Sequence, residues 1–338
     1  MKLASAGALK LERIPQLSPC DPPLWARGGH KQTILAHLIP SPVLTEKGER
    51  LEIKLRGGDV GIAHLFRAKR DPSRVVYLFH GLGGYSHGPY MQRTALLALA
   101  RGWSVIMYNH RGCGEGEGLA REPYHSGRSE DLSSVVEEGR KLFPAATHLA
   151  IGFSLSGNAL LLLAAGQRAE VLPDGAISVN APIDLARGAR MLGRGLNRIY
   201  DVRFMSDMRR SIRSRIDAGH EVHQMNVPWH ATIEDFDELY TAPASGFRDR
   251  ADYYATCSAK RYLKDIKIPT VMLTASDDPF VLVEDYENAV VSPLVHVHIE
   301  KFGGHMGFLS RGDGMTKTKR WLDYALGEYM DAFVREKD

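Results

Sequence analysis

Residues 148–166, HLAIGFSLSGNALLLLAAG, carry two periodicities joined at one serine. Leu149-Ala150-Ile151-Gly152-Phe153 predicts a short buried strand, and the run from Leu155 predicts a helix apolar on nearly every face. Ser154 stands at the junction. A strand that becomes a helix across one residue strains that residue's backbone and brings strand and helix close together. Only small side chains then fit two positions before and after it. Gly152 meets that need. Ser156 stands where a glycine is expected, with Gly157 next. The strain pushes the Ser154 hydroxyl out of the turn. The helix then points its N-terminus and the Leu155 amide at charge developing in front of the serine. A plain strand–helix junction capped by serine accounts for the same residues, so the rest of the chain decides.

The 338 residues are 44% hydrophobic and 25% charged, an ordinary globular composition with ample material for one large core. A net charge of +3 is too mild to argue for nucleic acid as a partner. Cys20, Cys113 and Cys257 are scattered and lack metal spacing, which points to a reduced compartment. The apolar patch at the start is soon interrupted by Lys10, Glu12 and Arg13, so no secretory signal is expected. The longest apolar runs fall far short of a membrane span. A cytoplasmic protein is expected.

Before the serine, Leu24 to Leu38 predicts a short helix after a proline-rich start. His30 and His37 lack zinc-site spacing and are expected to pack and hydrogen-bond. Arg50 to Arg56 and Val60 to Phe66 predict a β-hairpin across Gly57-Gly58-Asp59. Arg74 to Phe79 is an uninterrupted apolar strand, as a sheet covered on both faces requires. It ends in His80-Gly81-Leu82-Gly83-Gly84. Glycines there free a backbone amide, assigned to Leu82, to serve beside Leu155 as a second oxyanion donor. A helix over Tyr90 to Arg101 and a strand over Trp103 to Asn109 follow.

The glycine-rich loop His110 to Gly118 lacks a P-loop ending and reads as a crossing of the sheet's carboxyl edge. Nothing in sequence activates Cys113 there. Ser129 to Leu142 predicts a helix on which Asp131 caps or bonds to a neighbouring turn. Beyond the serine, Gly175 to Asn180 is a further strand.

From Leu185 to Ile266 there is no buried strand. This helical segment reads as a cap inserted over a site, of the kind that selects substrate and excludes water. Its arginines, among them Arg187, Arg190, Arg194, Arg198, Arg203, Arg209, Arg210, Arg213 and Arg215, form a solvated face or else meet an anionic head group or membrane surface. His220 and His223 form a weak metal pair and read as surface residues. The core therefore comprises residues 1–184, with an N-terminal extension 1–48, and residues 267–338. Pro269 to Ala275 and Leu294 to Ile299 are the last strands, and a helix over Lys317 to Phe333 closes the chain.

Ser276-Asp277-Asp278-Pro279 and Phe302-Gly303-Gly304-His305-Met306-Gly307-Phe308 follow those last two strands. Asp278, before proline, is chosen as the acid, with Asp277 the alternative, and His305 is the base. The order Ser154, Asp278, His305, each just past the carboxyl end of a predicted parallel strand, is that of an α/β-hydrolase. The expected fold is thus α/β, a mostly parallel central sheet with helices on both faces and an inserted helical cap. Ser154 needs a base near pKa 7, which His305 supplies, while Asp278 fixes the imidazole tautomer. No metal or organic cofactor is required. The competing readings are a thioesterase or amidase with the same triad, and a non-catalytic ligand-binding protein on this fold.

The chain resembles the YheT-like α/β-hydrolases, which include plant embryogenesis-associated proteins. The resemblance rests on PPLWARGGHKQT (Pro22 to Thr33), HGLGG, NHRGCGEGEG (Asn109 to Gly118), YHSGRSED (Tyr124 to Asp131), GFSLSGN (Gly152 to Asn158), DDPF and GGHMGF. It implies hydrolysis of carboxylic esters, short-chain or lipid, with Ser154, Asp278 and His305 as the charge relay. Ser156 departs from the family's usual glycine.

Overall fold

The structure is a computed structural model of the chain; it describes residues 14–69, 73–220, 227–311 and 320–333. Eight strands form one sheet: β1 Glu49–Lys54, β2 Val60–Phe66, β3 Arg74–Phe79, β4 Ser104–Asn109, β5 Thr147–Phe153, β6 Gly175–Val179, β7 Thr270–Ala275 and β8 Val295–Glu300. Their spatial order is β1-β2-β4-β3-β5-β6-β7-β8. The hairpin β1–β2 and the β2–β4 pair are antiparallel, and all other pairs are parallel.

The apolar strands predict their own position. In β3 every residue from Val75 to Phe79 is fully buried. Val75, Tyr77 and Phe79 enter one core with α3 (Ser129–Leu142) and α4 (Leu155–Ala164), and Val76 and Leu78 enter the other with α2 (Pro89–Ala100) and α11 (Trp321–Ala332). Period-two alternation thus feeds two cores from one strand. Each large side chain so buried contributes about 1.5–3 kcal/mol of transfer free energy.

Two further helices are α1 (Gly29–Leu38), which precedes β1, and α10 (Val283–Glu287), which connects β7 to β8. Between β6 and β7 the described residues form helices only: α5 Leu185–Leu192, α6 Arg198–Asp217, α7 Ile233–Phe236, a π-turn over Asp237–Thr241, α8 Ala242–Ala244 and α9 Arg250–Cys257, with short 3₁₀ turns between. On α6 the side chains of Ile199 and Val202 face solvent. Phe204, Met208 and Arg215 line cavities beneath the helix. Several arginines of this segment are paired: Arg187 with Asp285, Arg198 with Asp201, Arg213 with Asp217. No helix among the described residues is long and apolar enough to cross a membrane.

Two local expectations are corrected. The helix foreseen over Leu24 to Leu38 is a 3₁₀ turn at Leu24–Ala26 followed by α1, because Arg27 is extended and Gly28 takes φ +103°. Asp131 does not cap its helix. It accepts two hydrogen bonds from Arg111, at 2.6 and 2.7 Å, deep in the interior. Arg111 also reaches Asp59 at 2.5 Å. Burial pushes the Asp59 carboxyl up, but the amides of Arg121 and Glu122 and the Arg111 charge outweigh it and hold the group below the carboxylate range. Arg111 thereby anchors the glycine-rich loop after β4 to the start of β2 and to α3.

Removing Arg111 strands two buried carboxylates. Arg111→Met should lower the free energy of unfolding by about 3–5 kcal/mol. Denaturant titration checks this, and a loss below about 1 kcal/mol would show that the cluster does not hold the fold.

Candidate active site

β5 runs into α4 through Ser154, which takes φ +53° and ψ −120°. The Ser154 amide donates to Val179 O on β6 at 2.8 Å, so the turn is tied to the sheet. The small residues around it are demanded by contact. A Cβ on Gly152 would lie 2.6 Å from the Ser156 carbonyl oxygen, and one on Gly157 would lie 2.9 Å from Ala181 Cβ.

Ser154 Oγ donates to His305 Nε2 at 2.8 Å, and His305 Nδ1 donates to Asp278 Oδ2 at 2.8 Å. The three residues chosen from sequence therefore form one hydrogen-bonded line. Asp278 Oδ2 also accepts from Asn180 Nδ2 at 2.8 Å, while Oδ1 accepts from the amides of Phe280 and Val281 at 3.1 and 3.0 Å. With four donors around it, Asp278 acts as an acceptor, so the imidazole proton sits on Nδ1 and Nε2 is left as an acceptor. Asp277 does different work. Its Oδ1 accepts from the amides of Gly303 and Gly304 at 2.8 and 2.7 Å, which shapes the loop carrying His305. Burial nonetheless raises the Asp277 carboxyl above its ordinary range.

The N-terminal arm completes this loop. Thr33 Oγ1 accepts from the His305 amide at 2.9 Å, and Gln32 exchanges hydrogen bonds with both the amide and the carbonyl of Leu309. A side chain on Gly29 would strike the Asp277 carbonyl. Sequence reasoning did not find Thr33, Gln32 or Asn180. The one signal was that Pro22 to Thr33 forms an unusual motif with no generic hydrolase role.

Ser156 has a structural reason to replace glycine. Its hydroxyl donates to the carbonyl of His80 and accepts from Tyr124 Oη at 3.0 Å and His110 Nε2 at 2.6 Å. His80 in turn donates from Nδ1 to Gly81 O at 2.8 Å and accepts the His110 amide at Nε2, 3.2 Å away. The elbow helix, the His80–Gly84 loop and the loop after β4 are therefore joined at one buried oxygen. Gly81 lies so close to the elbow that a Cβ there would sit 3.0 Å from Ser154 Cβ, and its amide is held by Tyr90 Oη at 3.0 Å. The amides of Leu82 and Leu155 have no hydrogen-bond acceptor among the described residues, and both residues line the pocket that contains Ser154.

That pocket has a volume of about 80 Å³ and is walled by apolar side chains, including Leu185, Leu192, Phe204 and Phe280. Its acidic member is Asp237, on the π-turn. Burial pushes this carboxyl up to about 6, and Tyr254 Oη donates to it at 2.8 Å. A second cavity of about 300 Å³ adjoins it, between the Leu82–Tyr85 loop, the glycine-rich loop and α6. The glycine-rich loop is thus a cavity wall as well as a crossing.

The other sequence candidates do not join this site. Burial pushes the Cys113 thiol up to about 12, and the thiol donates to Arg111 O, which is the opposite of an activated nucleophile. His30 bonds Tyr200 Oη at 3.1 Å. His220 bonds Gly118 O at 2.7 Å, and its suggested metal partner His223 lies outside the described residues. No group of three potential metal ligands gathers among the described residues.

Comparison with known proteins gives a consistent picture. Residues 76–317 match the alpha/beta hydrolase family. The YheT protein of Escherichia coli (strain K12), provisionally named an esterase, is 30% identical over 318 residues, spanning 91% of this chain and 92% of the relative. Mouse phospholipase ABHD3 is 28% identical over 93% of this chain and 78% of its own length. Among solved structures, the Pyrococcus furiosus esterase Pf2001 superposes with a TM-score of 0.55 at 15% identity, over 86% of this chain and 98% of that one.

Two outcomes follow from the buried network. Ser156→Ala leaves His110 Nε2, Tyr124 Oη and the His80 carbonyl short of a partner, so it should cost about 1–3 kcal/mol and lower turnover more than it lowers substrate affinity. An unchanged thermal midpoint would count against the network. Burial lowers the His80 pKa to about 4, whereas an unfolded histidine titrates near 6.5. The contribution of neutral His80, on the order of 3 kcal/mol, is whole above pH 6.5 and is lost as pH falls toward 4. His110 and His125 are lowered by burial in the same sense. The thermal midpoint should fall between pH 7 and pH 5, and a flat profile there would contradict it.

Proposed function

The chain belongs to the alpha/beta hydrolase family, and we propose from that premise that it is a carboxylic ester hydrolase in which Ser154 is the acylated nucleophile. The observation that carries this is the unbroken line from Ser154 Oγ through His305 to Asp278, with both hydrogen bonds at 2.8 Å. The names of the E. coli relative and the mouse phospholipase support ester bonds as the target.

In the first half-reaction His305 Nε2 takes the Ser154 proton while Oγ attacks the ester carbonyl carbon. The oxygen of that carbonyl becomes an oxyanion, received by the Leu82 and Leu155 amides. One such donor is worth about 2.7–4 kcal/mol in the transition state. The Leu155 amide is also the first of α4, where the helix dipole favours negative charge. His305 then gives its proton to the departing alkoxide. A water, deprotonated by the same nitrogen, attacks the acyl-enzyme, and the carboxylic acid leaves as Ser154 recovers its proton. Asp278 holds the tautomer and stabilises the imidazolium. Asp277 is assigned a positioning role, because its contacts are to the His305 loop.

Residues 185–266 act in this reading as the cap, since α6, α7 and the π-turn line both cavities beside the serine and α5 lines the smaller one. Residues 1–184 and 267–338 are the two parts of the core. The small apolar pocket suits a short acyl chain.

Hydrolysis of p-nitrophenyl esters of graded acyl length tests the reading. Short acyl groups should be preferred, and Ser154→Ala should abolish turnover and labelling by a fluorophosphonate probe. Asp278→Asn should lower kcat by roughly 10⁴-fold, as loss of the tautomer-fixing acid does elsewhere, and Asp277→Asn should lower it far less. Turnover that survives Ser154→Ala would refute the assignment. A wild type that neither hydrolyses nor labels would favour a binding protein.

A further inference from the structure

The two cavities differ in chemistry. The smaller one contains Ser154 and is apolar. The larger one, about 300 Å³, is bordered by Arg215, Tyr240 and the Leu82–Tyr85 loop, and shares Leu82, Tyr124, Met208 and Thr241 with the smaller. An ester carbonyl at the Leu82 amide would therefore have one substituent on each side.

Arg215 lies in the last turn of α6 and is 2% exposed. Its Nε donates to Ser211 O at 3.2 Å and its Nη1 to Arg121 O at 3.4 Å, and its guanidinium stands over the Tyr240 ring at 5.6 Å from the centroid. No carboxylate among the described residues lies within 4.0 Å of it. The other charges around this cavity are accounted for. Arg111 is neutralised by Asp59 and Asp131, Asp207 faces Arg210 at 3.5 Å, and Glu117 is exposed at the rim. Burial lowers the Arg215 pKa and raises that of Asp207. The Tyr240 side chain also hydrogen-bonds to Arg215, and Asp59 acts on it only from farther away; a buried cation so weakly countered is costly. A guanidinium in that position is suited to a carboxylate or phosphate, which its planar fork can bind in two places at once. A purely structural Arg215, favouring the C-terminal end of α6 and stacking on Tyr240, would account for its burial but would be indifferent to substrate charge.

We propose that the larger cavity receives the alcohol half of the ester, and that this half carries a carboxylate or phosphate held by Arg215. The proposal rests on Ser154 as the nucleophile and adds the class of substrate. The alcohol is released with its anion still attached; the anion is a handle and takes no part in the bond changes.

The test uses the full chain and three butanoyl esters of equal alcohol length, made from 1,3-propanediol, 3-hydroxypropanoate and 3-hydroxypropyl phosphate. At least one anionic ester should exceed the neutral one in kcat/KM by about tenfold, which corresponds to a modest difference in binding. The carboxylate and phosphate arms say which anion is preferred. Arg215→Met should erase the preference, lowering kcat/KM on the favoured anionic ester about tenfold and on the neutral ester far less. Arg215→Lys should keep part of the preference, and Arg213→Gln, at an exposed position of α6 paired with Asp217 and outside the cavity lining, should keep all of it.

A wild type that hydrolyses the neutral ester as well as both anions overturns the proposal, even if no variant folds. So does a preference that survives Arg215→Met, or an equal loss on all three esters. In each of those cases, turnover that depends on Ser154 still stands. Absence of turnover on all three esters would instead remove the nucleophile assignment, and this proposal with it.

Discussion

Ser154 holds φ +53° and ψ −120°, a conformation that costs an L-residue about 1–3 kcal/mol and persists only where its surroundings leave no alternative. Here they leave none. β5 is buried along its whole length, nearly all of α4 is buried, and the Ser154 amide is bonded to β6. Gly152 and Gly157 let strand and helix approach to a distance that any larger residue would prevent. The strain is therefore stored at the one hydroxyl that emerges from the turn. The His80–Gly84 loop is fitted to that turn through Gly81, and the His305 imidazole meets the emerging hydroxyl at 2.8 Å.

Charge is managed differently on the two sides of the serine. Below the glycine-rich loop, Arg111 and its carboxylates form a closed set of buried ion pairs. On the Ser154–His305–Asp278 line, Asp278 is surrounded by donors. Beneath α6, Arg215 borders a cavity and has no carboxylate among the described residues within 4.0 Å. The histidines around Ser156 are kept neutral by burial, and their hydrogen bonds depend on that neutrality. These four arrangements use the same few residue types, and burial and partner geometry decide what each one does.

The strands of the sheet and the placement of Ser154 and His305 after two of them were legible because local pattern determines them. An apolar run bounded by glycines makes a buried strand, and a reactive residue after its carboxyl end lies at the edge where the chemistry gathers. The choice between Asp277 and Asp278 was not legible, since neighbouring residues in a turn point in unrelated directions until the turn is built. Thr33, Asn180 and the partners of Ser156 were hidden for another reason. Their contacts cross 272, 98 and up to 76 residues of sequence, and no periodicity encodes a through-space bond. The break at Gly28 was visible as two adjacent glycines. Its purpose, to lay Gly29 against the Asp277 carbonyl, was not. Asp131 was expected to cap its helix or bond the turn beside it, and its bonds to Arg111, 20 residues back, were hidden in the same way.

The N-terminal arm ties together the beginning and end of the chain. Thr33 bonds His305, and the Trp321 indole bonds Ser18 O across 303 positions. Such contacts give the molecule a high contact order, which slows folding. They also set a schedule during synthesis. The arm emerges from the ribosome before the sheet and has no His305 loop to dock on until β8 and that loop have been made. A partly synthesised chain can therefore build the elbow and most of the sheet while its serine has no oriented base. Cleavage between the arm and β1 would have the converse effect, loosening the base while the eight-stranded sheet keeps its pairing. In this molecule, being folded and being competent to react are completed at different moments.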